Sequence, residues 1–217
     1  MVPEGVTLIR ANNPGYMTLE GTNTWVFDDG TVIDPGPDDE AHLEAIVATT
    51  TITRILVTHG HPDHVEAVDK LIAMTGAILN GLPDDLQRLD TPGHTADSVC
   101  YIGRGVVFTG DTILGRGSSV VAWPDGNVAD YLKSLEKLMT FSGVPALPGH
   151  GPVLPDTAEA AKWLYDHRLE RLEQVKSALR RGAQTPSEVV EIVYADVDPA
   201  LKWAAEWSVR AQLEYLS

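Results

Sequence analysis

Three of the chain's seven histidines fall within six residues, Thr58-His59-Gly60-His61-Pro62-Asp63-His64, with an aspartate among them. Imidazole nitrogens and a carboxylate together suit a borderline cation, zinc first and iron or manganese next. One isolated histidine is more simply a surface or capping residue. For the group that account fails, because Gly60 and Pro62 forbid a regular strand or helix through the segment, so ordered loop backbone is spent on converging side chains. Such a set calls for further donors downstream. Three glycine-containing turns offer them: His94 in Thr91-Pro92-Gly93-His94-Thr95, Asp111 in Phe108-Thr109-Gly110-Asp111, and His150 in Pro148-Gly149-His150-Gly151.

The cluster directly follows the apolar run Ile55-Leu56-Val57, which sets it on a loop at a strand's carboxyl end, where α/β sheets present their chemistry. Similar β-branched runs at Val6 to Ile9, Trp25 to Phe27, Thr31 to Ile33, Val99 to Ile102 and Val106 to Thr109 predict strands. Asp38-Asp39-Glu40 ahead of Leu43, Ile46 and Val47 reads as a helix start, and His64 to Met74 has helical spacing. Strands and helices mixed in this way predict an α/β layered domain over residues 1–155. After Pro155 the strand signals stop. Asp156 is placed to cap a helix whose apolar positions Ala161, Tyr165, Leu169, Leu172, Val175 and Leu179 run at spacings of three and four up to Gly182. Helical segments at about 186–194 and 199–216 complete an all-helical unit, residues 156–217, docked on the α/β body.

With 217 residues, 43% hydrophobic and 22% charged, the composition is that of a globular protein with ample core. No apolar run approaches the roughly 18 residues that a membrane span requires. The start, Met1-Val2-Pro3-Glu4, has no basic segment followed by an apolar one, so a cytoplasmic protein without a membrane partner is expected. Sixteen Lys and Arg against 31 Asp and Glu leave a formal charge of −15, a field that repels polyanions. Residues 1–155 hold 20 acidic and 8 basic groups and residues 156–217 hold 11 and 8, so the helical unit is the less repulsive part. Cys100 is the only cysteine, which excludes an internal disulfide and a zinc site built from several thiolates. Its setting, Val99-Cys100-Tyr101-Ile102, predicts a buried, inert thiol. No Gly-x-Ser-x-Gly elbow supplies a serine nucleophile.

In these motifs and their order the chain resembles the metallo-β-lactamase superfamily of dinuclear metallohydrolases, which implies an αββα sandwich. The resemblance assigns one metal to His59, His61 and His94, the second to Asp63, His64 and His150, with Asp111 bridging. It makes Asp63 and Asp111 the catalytic carboxylates and Asp34, in Val32-Ile33-Asp34-Pro35-Gly36, a carboxylate that orients a ligand imidazole. Asn12-Asn13-Pro14-Gly15, Met17 through Thr24, Thr109 through Gly115, Tyr131 through Leu135, His167-Arg168 and Ser208 through Leu213 are similar to signatures of the β-lactamase-like protein 2 branch, whose helical tail resembles a winged helix. One departure stands out: only 29 residues separate His64 from His94, fewer than that branch usually has, so a strand or covering loop near Gly76 to Asp90 is expected to be missing.

The resemblance implies a hydrolase with two zinc ions, iron or manganese being the alternatives, and a hydroxide shared between them, since a cation brings the pKa of water from about 15.7 to about 7. Asn23, Arg116 and Trp123 are expected near the substrate; for Arg116 a surface ion pair is favoured slightly over a hold on an anionic group, and Tyr16 and Trp25 are candidates for cleft lining, although aromatic residues beside strands usually belong to the core. Single-stranded RNA, implied by the branch and its tail, is the first reading of the substrate class, and a thioester of the glyoxalase II type, favoured by the acidic surface, is the alternative. The same scaffold hosts an iron-dependent sulfur dioxygenase and flavodiiron oxidoreductases, although the latter usually carry glutamate where this chain has His61. A noncatalytic binding module is disfavoured by the full set of donors. The apolar spacing of the C-terminal helices reads as packing or homodimerisation rather than a nucleic-acid module, and Arg180-Arg181 is too small a basic footprint.

Overall fold

A computed structural model of the chain describes residues 2–217; Met1, within the expected first domain, lies outside the described residues. Two sheets form the centre. The first has the order β1 (Val6–Arg10), β2 (Asn23–Phe27), β3 (Thr31–Ile33), β4 (Arg54–Leu56), β5 (Ile78–Leu79), and the second β6 (Leu86–Asp90), β7 (Val99–Gly103), β8 (Val106–Gly110), β9 (Ala146–Pro148). β3 and β4 are parallel, as are β8 and β9, while β1–β2, β2–β3, β6–β7 and β7–β8 are antiparallel.

Alternation along each strand builds three apolar layers. Trp25, Phe27, Ile33 and Leu56 of the first sheet meet Val99, Tyr101, Val106 and Phe108 of the second. On the first sheet's other face, Val26, Val32 and Ile55 pack against Leu43 and Ile46 of α1 (Glu40–Thr49) and Val68 and Leu71 of α3 (Val68–Thr75). On the second sheet's other face, Cys100 and Val107 pack against Tyr131, Leu135 and Leu138 of α4 (Val128–Leu138) and Ala161 and Leu164 of α5 (Thr157–Arg180). The result is helix, sheet, sheet, helix, as expected.

Asp39 and Asp156 cap α1 and α5 by accepting from the His42 and Glu159 amides, as the sequence predicts. α6 (Pro186–Val193) and α7 (Lys202–Leu216) follow, with a short 3₁₀ turn at Pro199–Leu201. Residues 156–217 contain helices and no strand, so this unit has no β-wing. Its own small core joins Val175 and Ala178 of α5 to Val189, Val190, Ala205 and Val209. α5 thus serves two cores. No helix among the described residues is long and apolar enough to cross a membrane.

Candidate metal centre

Asp34 follows β3, His59 follows β4, Asp111 follows β8 and His150 follows β9. Because β3 runs parallel to β4 and β8 to β9, their carboxyl ends open on one rim of the sandwich, and the turn before β7 adds His94. The expectation that Pro62 keeps the histidine segment free of helix needs correction. Pro62 opens a short helix, α2 (Pro62–Val65), with His61 as its N-cap, since a proline at the first helical position loses no hydrogen bond and brings a suitable φ. That turn sets Asp63 and His64 on the same rim. Close approach completes it: a Cβ on Gly149 would lie 2.6 Å from Asp111 Oδ1 and 2.7 Å from the His64 ring.

All seven predicted donors converge in two groups, His59, His61, His94 and Asp111, then Asp63, His64 and His150, with the donor atoms of each group within 4.8 Å of one another. In the first, His61 Nδ1 lies 3.0 Å from His59 Nε2 and 3.1 Å from His94 Nε2. In the second, His150 Nε2 lies 3.2 Å from His64 Nε2 and 3.1 Å from Asp63 Oδ2. Asp111 reaches both, with Oδ2 at 3.8 Å from His94 and 3.5 Å from His150, and Oδ1 at 3.5 Å from His64.

The outer nitrogens determine which way the rings face. His64 Nδ1 donates to Asp34 Oδ2 at 2.9 Å, and His94 Nδ1 donates to the Val120 carbonyl at 2.6 Å. His59 Nδ1 lies 3.1 Å from Thr58 Oγ1, whose proton goes to Asp34 Oδ2 at 2.7 Å. With the outer nitrogen protonated, each ring turns a lone pair inward. Asp34 also accepts from the Thr58 amide at 2.7 Å, so one carboxylate orients the ends of two strands.

Charge separates the histidines. Burial holds His59 well below the usual imidazole range and, more weakly, His94. His64 is buried too, yet Asp111 and Asp34 outweigh burial and raise it. His150 is pushed up to about 10, because Asp111 and Asp63 overcome its burial. Burial would raise both carboxylates, but His150 and His64 hold Asp111 well below the carboxylate range and lower Asp63 as well.

The remaining expectations divide. Asn23 does not face the cleft: it is fully buried and its amide donates to the Pro148 and Gly151 carbonyls at 3.0 and 2.9 Å, holding the His150 turn. Trp123 turns to the C-terminal helix, donating from Nε1 to Glu214 beneath the Arg210 guanidinium. Trp25 is core, whereas Tyr16 and Arg116 line a cavity of about 290 Å³ beside His94 and Asp111. Arg116 is exposed there and paired with Glu20. Cys100 is buried and its thiol pushed up to about 11, as an inert thiol requires. Sequence reasoning missed Thr58, the Val120 carbonyl and Ser119, which bonds the Asp111 carbonyl. Only Thr58 had a signal, its place beside His59.

The metallo-beta-lactamase superfamily profile matches residues 17–79 and 81–150. A "Beta-lactamase-like protein 2 homolog" of Caenorhabditis elegans is 31% identical over 255 residues, covering 98% of this chain and 84% of that protein. An "Atrochrysone carboxyl ACP thioesterase" of Aspergillus chevalieri is 32% identical over 231 residues, covering 88% and 74%. The crystal structure of a beta-lactamase domain protein from Burkholderia ambifaria has the same fold, with a TM-score of 0.85 over all of this chain and 86% of the other at 21% identity. Sheet order, rim position and these likenesses agree: the chain belongs to the metallo-beta-lactamase superfamily, in its beta-lactamase-like protein 2 branch, and is a metal-dependent hydrolase.

Proposed function

We propose that the protein is a thioester hydrolase working with two zinc ions, one held by His59, His61 and His94, the other by Asp63, His64 and His150, with Asp111 shared. One observation supports this most: inward-facing imidazole nitrogens 3.0–3.2 Å apart surround a buried Asp111 Oδ1 that has no hydrogen-bond partner. Lone pairs and carboxylate oxygens crowded together repel one another unless positive charge lies between them, and around His59 and His94, which burial keeps neutral, no proton supplies it. Nitrogen and oxygen donors of this kind fit zinc. The ions, when bound, lower the pKa of water and polarise the bond to be cut.

The chain's own groups do the rest. Asp63, with a side chain 28% exposed against 11% for Asp111, is the more accessible of the two carboxylates and accepts the proton that the attacking water gives up. Asp34 and Thr58 hold His59 and His64 in register. A thiolate leaves without a proton donor near neutral pH, since thiols ionise at about 8.5. The cavity of about 290 Å³, largely apolar in its lining, suits one small acyl group. Thioesterase names among the relatives and the charge of −15 favour the same reading over RNA.

The test is protein purified without chelator, assayed for metal content, then offered an acyl thioester and a labelled single-stranded RNA. About two zinc per chain and thioester turnover, both lost in Asp111→Asn, are expected. RNA cleavage without thioester turnover would replace this reading with a nuclease, and a single iron with a sulfur dioxygenase.

A further inference from the structure

The cavity beside His94 and Asp111 has a second wall, made by α5, α7 and the loop between α6 and α7: His167, Arg168, Arg171, Tyr194, Leu201 and Ala205. Arg168 is 3% exposed. Its Nη2 donates to the Ser119 carbonyl, its guanidinium lies 5.3 Å from the Tyr131 ring centre, and its Nε has no partner. Among the described residues no carboxylate pairs with Arg168 or with Arg171, whose Nη1 donates to Gln174 and the Val193 carbonyl. In a chain this acidic, two cations facing one cavity without counter-ions stand out, because a buried guanidinium without an anion is costly. The neighbouring His167, stacked on Trp163 at 5.3 Å, is lowered first by burial and then by Arg168 and Arg171, which marks the same positive patch.

We propose that this wall is an anion subsite: Arg168, supported by Arg171, takes a carboxylate or phosphate carried by the substrate away from the bond that is cut. A planar fork with a free donor suits either group. The metal donors His94 and Asp111 line the same cavity, so an anion on this wall orients the rest of the molecule toward them. Tyr16, donating to Asp198 at 3.1 Å, and Arg116, paired with Glu20, border the cavity. The two anions correspond to two sources, a carboxylate at the far end of the acyl chain or a phosphate on the thiol arm.

The choice of substrate rests on the thioester reading; anion binding does not, and is measured without turnover. The metal-loaded protein is titrated calorimetrically with glutarate and with methyl phosphate, beside Arg168→Met, Arg168→Lys and Arg171→Met. Arg168→Met should bind at least one of them about tenfold more weakly or worse, with Arg168→Lys recovering part of the loss and Arg171→Met showing a smaller one. Which probe responds identifies the source. If Arg168→Met fails to fold, Arg171→Met and Arg168→Lys carry the comparison. Equal affinities in wild type and folded variants, or no binding of either probe to the wild type, overturns the subsite. Intact, arginine-dependent binding with no thioester turnover sinks the thioester reading alone.

Discussion

Asp34 adopts a left-handed backbone, φ +53°, a conformation that non-glycine residues take at some cost and that asparagine and aspartate tolerate best. What it supports is a carboxylate accepting from the Thr58 amide, the Thr58 hydroxyl and His64 Nδ1. Asp34→Asn keeps the shape and the backbone tolerance but replaces an acceptor oxygen by a donor and removes the charge. It should weaken cation affinity about 10–100-fold, read by competition with a chromogenic chelator, with unchanged circular dichroism. Unaltered affinity would mean that the strands alone orient His64. At this scale the chain was largely legible: His59, His61, Asp63, His64, His94, Asp111 and His150 announce themselves by type and by the turns that carry them. Thr58 and Ser119 did not, since hydroxyls are common in turns, and the Val120 carbonyl leaves no trace in a residue's identity.

Elements that bury alternate apolar residues were readable, and those that do not were missed. β2, β3, β4, β7 and β8 each carry a β-branched or aromatic run. β6 is Leu-Gln-Arg-Leu-Asp with one fully buried residue, β5 is two exposed residues, and β9 is three residues ending in proline. These strands owe their existence to pairing with a neighbour rather than to their own pattern. α4 was missed for a different reason: its cap Asn127 and the spacing of Tyr131, Leu132, Leu135 and Leu138 form a readable helix amid turn-forming residues. The short span between His64 and His94 still supplies α3, β5 and β6. Between elements, Gly149 is where β9 meets β8 closely. Gly149→Ala should push its methyl into Asp111 and His64, so the folded protein loses most bound metal by elemental analysis. Full retention would show that the rim yields without cost.

Across the whole molecule, the boundary expected at residue 155 falls within a shared core. Ala161, Leu164, Leu172 and Ala211 pack with Tyr131, Leu135 and Val107, while Val175 and Ala178 close the helical unit's own cluster. One unfolding transition is therefore expected in calorimetry. Leu164→Ala, at 2% exposure, should lower that single transition by about 2–5 kcal/mol, on the order of 5–20 °C for a chain this long. Two separate transitions, with only the one assigned to the C-terminal helices displaced, would show residues 156–217 melting independently.

Along α5 the side chains that wedge the second sheet in place, Leu164 and Leu172, alternate with Arg168 and Arg171 on the cavity wall. A substitution that retunes what the wall recognises therefore strains the wedge, and one that repairs the wedge shifts the wall. Divergence in ligand preference among descendants of this chain should consequently accumulate in the cavity lining outside α5, at Tyr16, Met17 and Ser118, while α5 stays nearly frozen.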